Sequence, residues 1–217
     1  MSLSPSNSLN HMRITGGKAR GIALKSPKDH GTRPATDRTR EALFSSLADS
    51  FLDASCLDLF AGTGSYGFEA LSRGAKSCQF IEYNRVAIDC LKQNAQAVSK
   101  SAELSSEVAQ VTQFDLLKAD PNLNATKQSF DFIFLDPPYA LWESHAEYLL
   151  NTLALSYAHE DTQLILECPS DLSLEEVSSD WSLKKRLGKS GKGKSKGKDK
   201  GKDKPCIAIY QKVKSAS

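Results

Sequence analysis

Apolar residues fall along this chain in short runs and helical stripes that alternate from one end to the other. Residues 56–60, 78–81, 108–114, 132–135 and 163–167 are apolar runs bounded by glycine, proline or polar positions, which predicts strands. Between them the period changes. Leu43, Phe44, Leu47 and Phe51 stripe a predicted helix over 36–51, with Thr36 as its N-cap. A second helix opens in the glycine-rich turn 61–67 and ends at Arg73-Gly74. Asn84 caps a third, with Ile88, Leu91, Ala95 and Val98 on one face, and 99–107 reads as a polar loop. A fourth spans 142–154. Residues 12–15 and 21–24 predict a small hairpin, and 181–187 with 206–212 an antiparallel pair. Strand and helix in alternation predict an α/β fold with a mostly parallel sheet, in which ligands bind beyond the carboxyl ends of the strands.

Charge changes this picture at two places. The net charge of +2 comprises a local +6 over 11–40, another +6 over 188–204, and −10 elsewhere. Two basic patches on an acidic body point to a polyanionic partner. The second patch is a Gly-Lys-Ser tract with no apolar residue, which reads as a disordered insertion. Charge-driven attraction to RNA and a solvated loop expansion both account for it. Residues 1–11 read as a disordered Ser/Asn leader without secretory character, 12–51 as a basic hairpin-and-helix extension, and 52–213 as the main domain. No apolar run approaches membrane-spanning length, so no membrane association is expected. The five cysteines form no C-x-x-C pair. A cytoplasmic monomer without disulfides or a zinc site is expected.

Candidate chemistry lies at two strand ends. After 132–135 the chain continues Asp136-Pro137-Pro138-Tyr139. The prolines end the strand and hold Asp136 and Pro137 extended, so a carboxylate, a rigid carbonyl and a ring project together. That group suits methyl transfer to the exocyclic amine of a planar base. If Asp136 and the Pro137 carbonyl accept the two N–H bonds, the lone pair turns towards the methyl donor, and Tyr139 stacks on the base. Gly62-Thr-Gly-Ser-Tyr-Gly67 matches the G-x-G-x-x-G pattern between a strand and a helix, and the next strand ends in Glu82, placed to hold ribose hydroxyls. Asp115 ends its strand either as an adenine contact or as a helix cap. Arg33, Arg38 and Arg40 crowd a helix start, where cations are disfavoured unless an anion joins them, so phosphate contact is expected there.

These segments in this order resemble the class I S-adenosylmethionine-dependent methyltransferases, and within them the bacterial family that methylates N2 of a guanine in small-subunit ribosomal RNA. The resemblance is carried by Arg13-Ile-Thr-Gly-Gly17, Arg33-Pro-Ala-Thr-Asp-Arg38 with Arg40-Glu41, Asp58-Leu-Phe-Ala-Gly-Thr-Gly64, Glu69-Ala-Leu-Ser-Arg-Gly74 and Asp136-Pro-Pro-Tyr139. It implies a Rossmann-like, seven-stranded sheet with its last strand antiparallel, S-adenosylmethionine as cofactor, no metal, and guanine 966 of 16S rRNA, free or in an assembling subunit, as target. It also implies that Asp58, Phe60, Ala61, Gly62, Thr63, Gly64, Glu82, Tyr83, Asp115, Leu116 and Asp136 border the cofactor. Asp136, Pro137, Pro138 and Tyr139 would hold the guanine, and Arg13, Lys18, Arg20, Arg33, Arg38 and Arg40 the RNA. The lysine tract departs from the family pattern.

Three other readings share parts of this pattern. A nicotinamide dehydrogenase would use the glycine turn and Glu82 but leaves Asp136–Tyr139 and both basic patches unexplained. A DNA adenine-N6 methyltransferase would share the Asp-Pro-Pro-Tyr chemistry, against which stands the lack of a separate target-recognition domain. A non-catalytic RNA-binding assembly factor on the same fold is the third.

Overall fold

The computed structural model describes residues 12–27, 37–118, 128–169, 178–188 and 205–214. Arg33, Thr36, the leader and the lysine tract 189–204 lie outside them. The strands β1 (Ser55–Leu59), β2 (Ser77–Glu82), β3 (Ala109–Gln113), β4 (Phe130–Leu135), β5 (Ala158–Pro169), β6 (Trp181–Leu187) and β7 (Pro205–Lys212) form one sheet in the order β3-β2-β1-β4-β5-β7-β6. β1 to β5 pair in parallel, and β7 runs antiparallel between β5 and β6. The order reverses between β1 and β4, and this switch point is where such sheets open a crevice for ligands. Both central strands are buried on both faces, which explains their continuous apolar runs, whereas β3 at the edge alternates with exposed positions.

One face of the sheet is covered by α1 (Asp37–Leu47), α2 (Ser65–Ser72) and α3 (Arg85–Ala102). Their Leu43, Phe44, Phe68, Leu71 and Leu91 share a core with Phe132, Phe134 and Ile165. Rings run through it from α1 to the centre of the sheet: Phe44–Phe51 at 4.7 Å, Phe51–Phe132 at 4.4 Å and Tyr66–Phe134 at 5.6 Å. The other face packs on α4 (Tyr139–Glu147), which continues as a π-helix over Tyr148–Ala154. Gly67 lets α2 lie against the sheet, since a Cβ there would come within 2.3 Å of Phe80 and 2.6 Å of Cys78.

The N-terminal segment is a looser hairpin than its pattern predicts, with one antiparallel bridge, Arg13↔Ala23, in place of two strands. Its polar groups are met by the helices instead. Thr15 N and Oγ1 donate to the Glu69 carboxylate at 2.8 and 2.7 Å, and Ser72 accepts from Lys18 N and Ala19 N. Asn94 bonds Lys25 N and O and also donates to the Thr63 carbonyl in the glycine turn. The predicted loop 99–107 is helical up to Ala102, because Val98 and Ala102 continue the buried stripe of α3 past its polar surface positions. Among the described residues no helix is long and apolar enough to cross a membrane.

Candidate active site

The turn after β1 is wound tightly at the switch point. Phe60, Gly62 and Gly64 all take positive φ, at 58°, 54° and 80°, and a phenylalanine in that region stores strain of a kind found at functional sites. The two glycines differ in what surrounds them. A Cβ on Gly64 would lie 2.4 Å from Phe68 and 2.5 Å from Leu91, inside the core. On Gly62 it would meet only the Phe60 carbonyl, at 4.0 Å. Gly62 therefore faces open space, and it is the position where a ligand can approach the backbone. The Glu82 carboxylate fastens this turn by accepting from Gly62 N, Tyr83 N and Asn84 N, each at 2.8 Å.

Beneath the turn, one face of the sheet gathers carboxylates. Asp58 on β1 is buried and accepts from Gly67 N at 3.0 Å. The β4–β5 register pairs Leu135 with Leu166, so the next residues, Asp136 and Glu167, stand abreast. Strand alternation puts both on the face of Phe134 and Ile165, over α2. There the Tyr66 hydroxyl donates to Glu167 at 2.7 Å. Burial pushes the Asp58 carboxyl up to about 8, with the Gly67 N–H holding it down and the Glu82 charge adding to the rise. Burial, then the charges of Glu167 and Asp58, push Asp136 well above the carboxylate range. Acids that raise one another's proton affinity in this way are stabilised in their charged form by a nearby positive charge.

At the Asp136–Tyr139 corner the central strand ends and α4 begins. Asp136 is half-buried and Pro137 buried. Pro138 is exposed as the N-cap of α4, its carbonyl accepting from Leu141 N at 2.8 Å. Tyr139 opens α4, half-buried, its hydroxyl pushed up by burial and by Glu167 and Asp136. Asp115 acts as a cap, accepting from Leu117 N at 3.2 Å and pairing with Lys118 at 3.3 Å. Leu116 beside it is buried and Tyr83 exposed. Glu167, which lies outside both motifs, and Tyr66, a variable position of the glycine motif, also belong to the cluster. The signal for Glu167 was a carboxylate ending the strand next to the one that carries Asp136.

The predicted RNA contacts separate. Arg13, Lys18, Arg20 and Arg38 are exposed. Arg13 pairs with Asp37 at 3.5 Å and so stands with Arg38 at the start of α1. Lys18 and Arg20 sit in the hairpin turn against Ser72, at the far end of α2 from the glycine turn, about 12 Å along its eight residues. Arg40 is a correction. It is only 1% exposed, and its guanidinium bonds Asp37 and the Arg13 carbonyl and faces Glu69 at 3.7 Å, so it has no surface to offer a phosphate. Among the described residues no group of His, Cys, Asp and Glu is arranged to hold a metal.

A family described as conserved hypothetical protein 95 matches residues 12–194. The ribosomal RNA small subunit methyltransferase D of Haemophilus influenzae is 41% identical over 133 residues, 61% of this chain and 66% of that protein. Its Escherichia coli K12 namesake is 36% identical over 173 residues, 79% of this chain and 82% of that one. The solved structure of Escherichia coli yhhF is 30% identical with a TM-score of 0.70, covering 93% of this chain and 98% of that chain. With its sheet order, its glycine turn and its Asp-Pro-Pro-Tyr corner, the chain belongs to this family, that of the ribosomal RNA small subunit methyltransferase D proteins, on a Rossmann-like class I methyltransferase fold.

Proposed function

We propose that this chain transfers a methyl group from S-adenosylmethionine to the exocyclic N2 amine of a guanine in small-subunit ribosomal RNA. The observation that carries the reading is the Asp136-Pro137-Pro138-Tyr139 corner, at the end of the central strand and on the same face as the acidic pocket. S-adenosylmethionine supplies a methyl group activated on a positively charged sulfur. The carboxylates of Asp58 and Asp136 suit a cationic ligand, and Gly62 leaves room for it at the backbone. A carboxylate has about four acceptor sites. Glu82 gives three to N–H groups and keeps one for a ribose hydroxyl. Tyr83, Asp115 and Leu116 border the adenine side.

On the acceptor side, Asp136 and the Pro137 carbonyl take the two amine hydrogens and turn the nitrogen lone pair towards the methyl group. Tyr139 stacks on the guanine, worth about 1–3 kcal/mol. The site works by positioning and by stabilising the charge that grows on the amine.

The two glycines give a test of the cofactor side. Gly62→Leu should weaken S-adenosylmethionine binding from the micromolar range, about −8 kcal/mol, by tenfold or more while the protein stays folded. Gly64→Leu should unfold it, because its side chain enters the core. Calorimetry and melting curves on both variants read the difference. Undiminished binding by Gly62→Leu, or preference for NAD over S-adenosylmethionine, would sink the assignment.

RNA is held by two kinds of charge. Arg13 and Arg38 sit on ordered backbone and can make pre-positioned phosphate contacts. The lysines of 189–204 are point charges whose attraction falls with salt. Arg13→Ala with Arg38→Ala should lower site-selective methylation even at low salt. Shortening 189–204 to a Gly-Ser turn should weaken RNA binding and flatten its salt dependence, leaving the modified position unchanged. Loss of site selectivity on the shortening alone would reverse the two roles. The function itself is tested by methylating ribosomal RNA from a strain lacking this protein and mapping the labelled base. Label on an adenine, or on DNA in preference to RNA, would reject it.

A further inference from the structure

Glu167 is a buried acid that the mechanism above does not use. It is 3% exposed, and its place is secured from two sides: the Tyr66 hydroxyl donates to its carboxylate at 2.7 Å, and the Trp142 indole N–H donates to its backbone carbonyl at 3.0 Å. The hydroxyl bond favours the ionised form of the carboxylate. The β4–β5 register sets that carboxylate beside Asp136 on the same face of the sheet.

We propose that Glu167 is a positioning residue for methyl transfer: held by Tyr66 abreast of Asp136, it makes the Asp136 carboxylate the group that takes the proton released by the amine. The inference rests on the role given to Asp136 above. As the amine lone pair forms its bond to the methyl carbon, the carbon–sulfur bond breaks and the nitrogen sheds one hydrogen as a proton. Asp136 already accepts one of those N–H bonds, so the proton passes along it to the carboxylate oxygen. A lone solvated aspartate is a weak base for this. Beside Glu167 it becomes a stronger one, and being half-buried it can return the proton to water.

The groups facing Asp136 are Asp58 from β1, Tyr66 from α2, Glu167 from β5 and Tyr139 from α4, with Arg40 acting on Tyr66 from α1 and Cys168 and Cys206 beyond Tyr139. Glu167 heads the charges that raise Asp136, after burial. Removing the Glu167 charge therefore lowers the pH at which Asp136 gives up its proton.

The test uses Glu167→Gln, which keeps an acceptor for Tyr66 and removes the charge. Carbon-13 NMR of aspartate carboxyls in the free protein, assigned with Asp136→Asn, should show the Asp136 midpoint moving to lower pH. Single-turnover methylation against pH should show the acidic limb moving the same way, with a plateau roughly threefold to tenfold lower because the base is weaker. The profiles should close up or cross at low pH, which a merely loosened site would not produce. Tyr66→Phe gives a second arm, since without its hydrogen bond Glu167 holds a proton more readily and the Asp136 midpoint should again fall. An Asp136 midpoint unmoved in a folded variant overturns the proposal, as does an unshifted acidic limb. The NMR titration needs no substrate. A wild-type protein inactive on ribosomal RNA would therefore overturn the function while leaving the Asp136–Glu167 coupling to be judged by itself.

Discussion

Replacing Asp136 by alanine should slow single-turnover methylation of ribosomal RNA by about tenfold to a hundredfold, with S-adenosylmethionine affinity little changed. A hydrogen bond to a group gaining charge is worth about 1.5–3 kcal/mol, and each 1.36 kcal/mol is a factor of ten in rate. The Pro137 carbonyl still accepts one amine hydrogen, so the amine stays partly oriented and activity does not vanish. Asp58 and Glu167 keep the pocket acidic, which preserves its fit to a cation. The variant should also fold at least as well as wild type, because it loses a carboxyl that burial and two neighbouring acids already disfavour in its charged form. Rapid-quench kinetics with calorimetry separate the effects on rate and binding. A variant rate equal to wild type would remove Asp136 from the mechanism.

Among truncations, Glu69→Ala should cost stability heavily although Glu69 lies far from the chemistry. Its carboxylate is fully buried and receives Thr15 N at 2.8 Å, Thr15 Oγ1 at 2.7 Å and Arg73 Nε at 2.9 Å, with Arg40 Nε at 3.7 Å. Glu69→Ala leaves the buried Arg40 facing a void and strips the hairpin of its anchor. Breaking a buried ion pair by removing one partner costs about 3–5 kcal/mol. Denaturant midpoints should fall accordingly, and proteases should cut near Thr15 before the rest of the chain opens. A loss below about 1 kcal/mol would mean that water replaces the carboxylate at no cost.

Most of the central sheet was legible because each of its strands is an apolar run closed by a residue that cannot continue it: Asp136 before two prolines, Phe60 before the glycine turn. The fate of Arg40 was legible too. It precedes Leu43, Phe44 and Leu47 by three, four and seven positions, so the period that predicts the helix also places its guanidinium on the inward stripe. Charge type outweighed spacing in assigning it to RNA. The partners of Glu167 and of the hairpin turn were not legible, because they come from other elements. Pairing Glu167 with Tyr66 joins residues 101 positions apart, and the burial of Ser72 against Lys18 and Ala19 depends on how the hairpin lies along α2. The adenine and capping roles of Asp115 were both open in the sequence, and the structure shows the cap.

The β6–β7 ladder has a consequence for how this family can vary. Leu187 pairs with Ile207, and Cys206 with Cys168 one residue beyond Glu167, so the two strands meet at the same edge of the sheet as Asp136. A connection whose ends are pinned by a ladder pays for extra length only in closure entropy, about 0.6 kcal/mol for each doubling. Insertions between residues 188 and 205 are therefore nearly neutral for folding, whereas insertions in the turn at 61–67 would break the packing of Gly64 and Gly67. Selection can tune cationic charge beside the Asp136 edge of the sheet simply by lengthening or shortening this one connection, without touching a residue of the core.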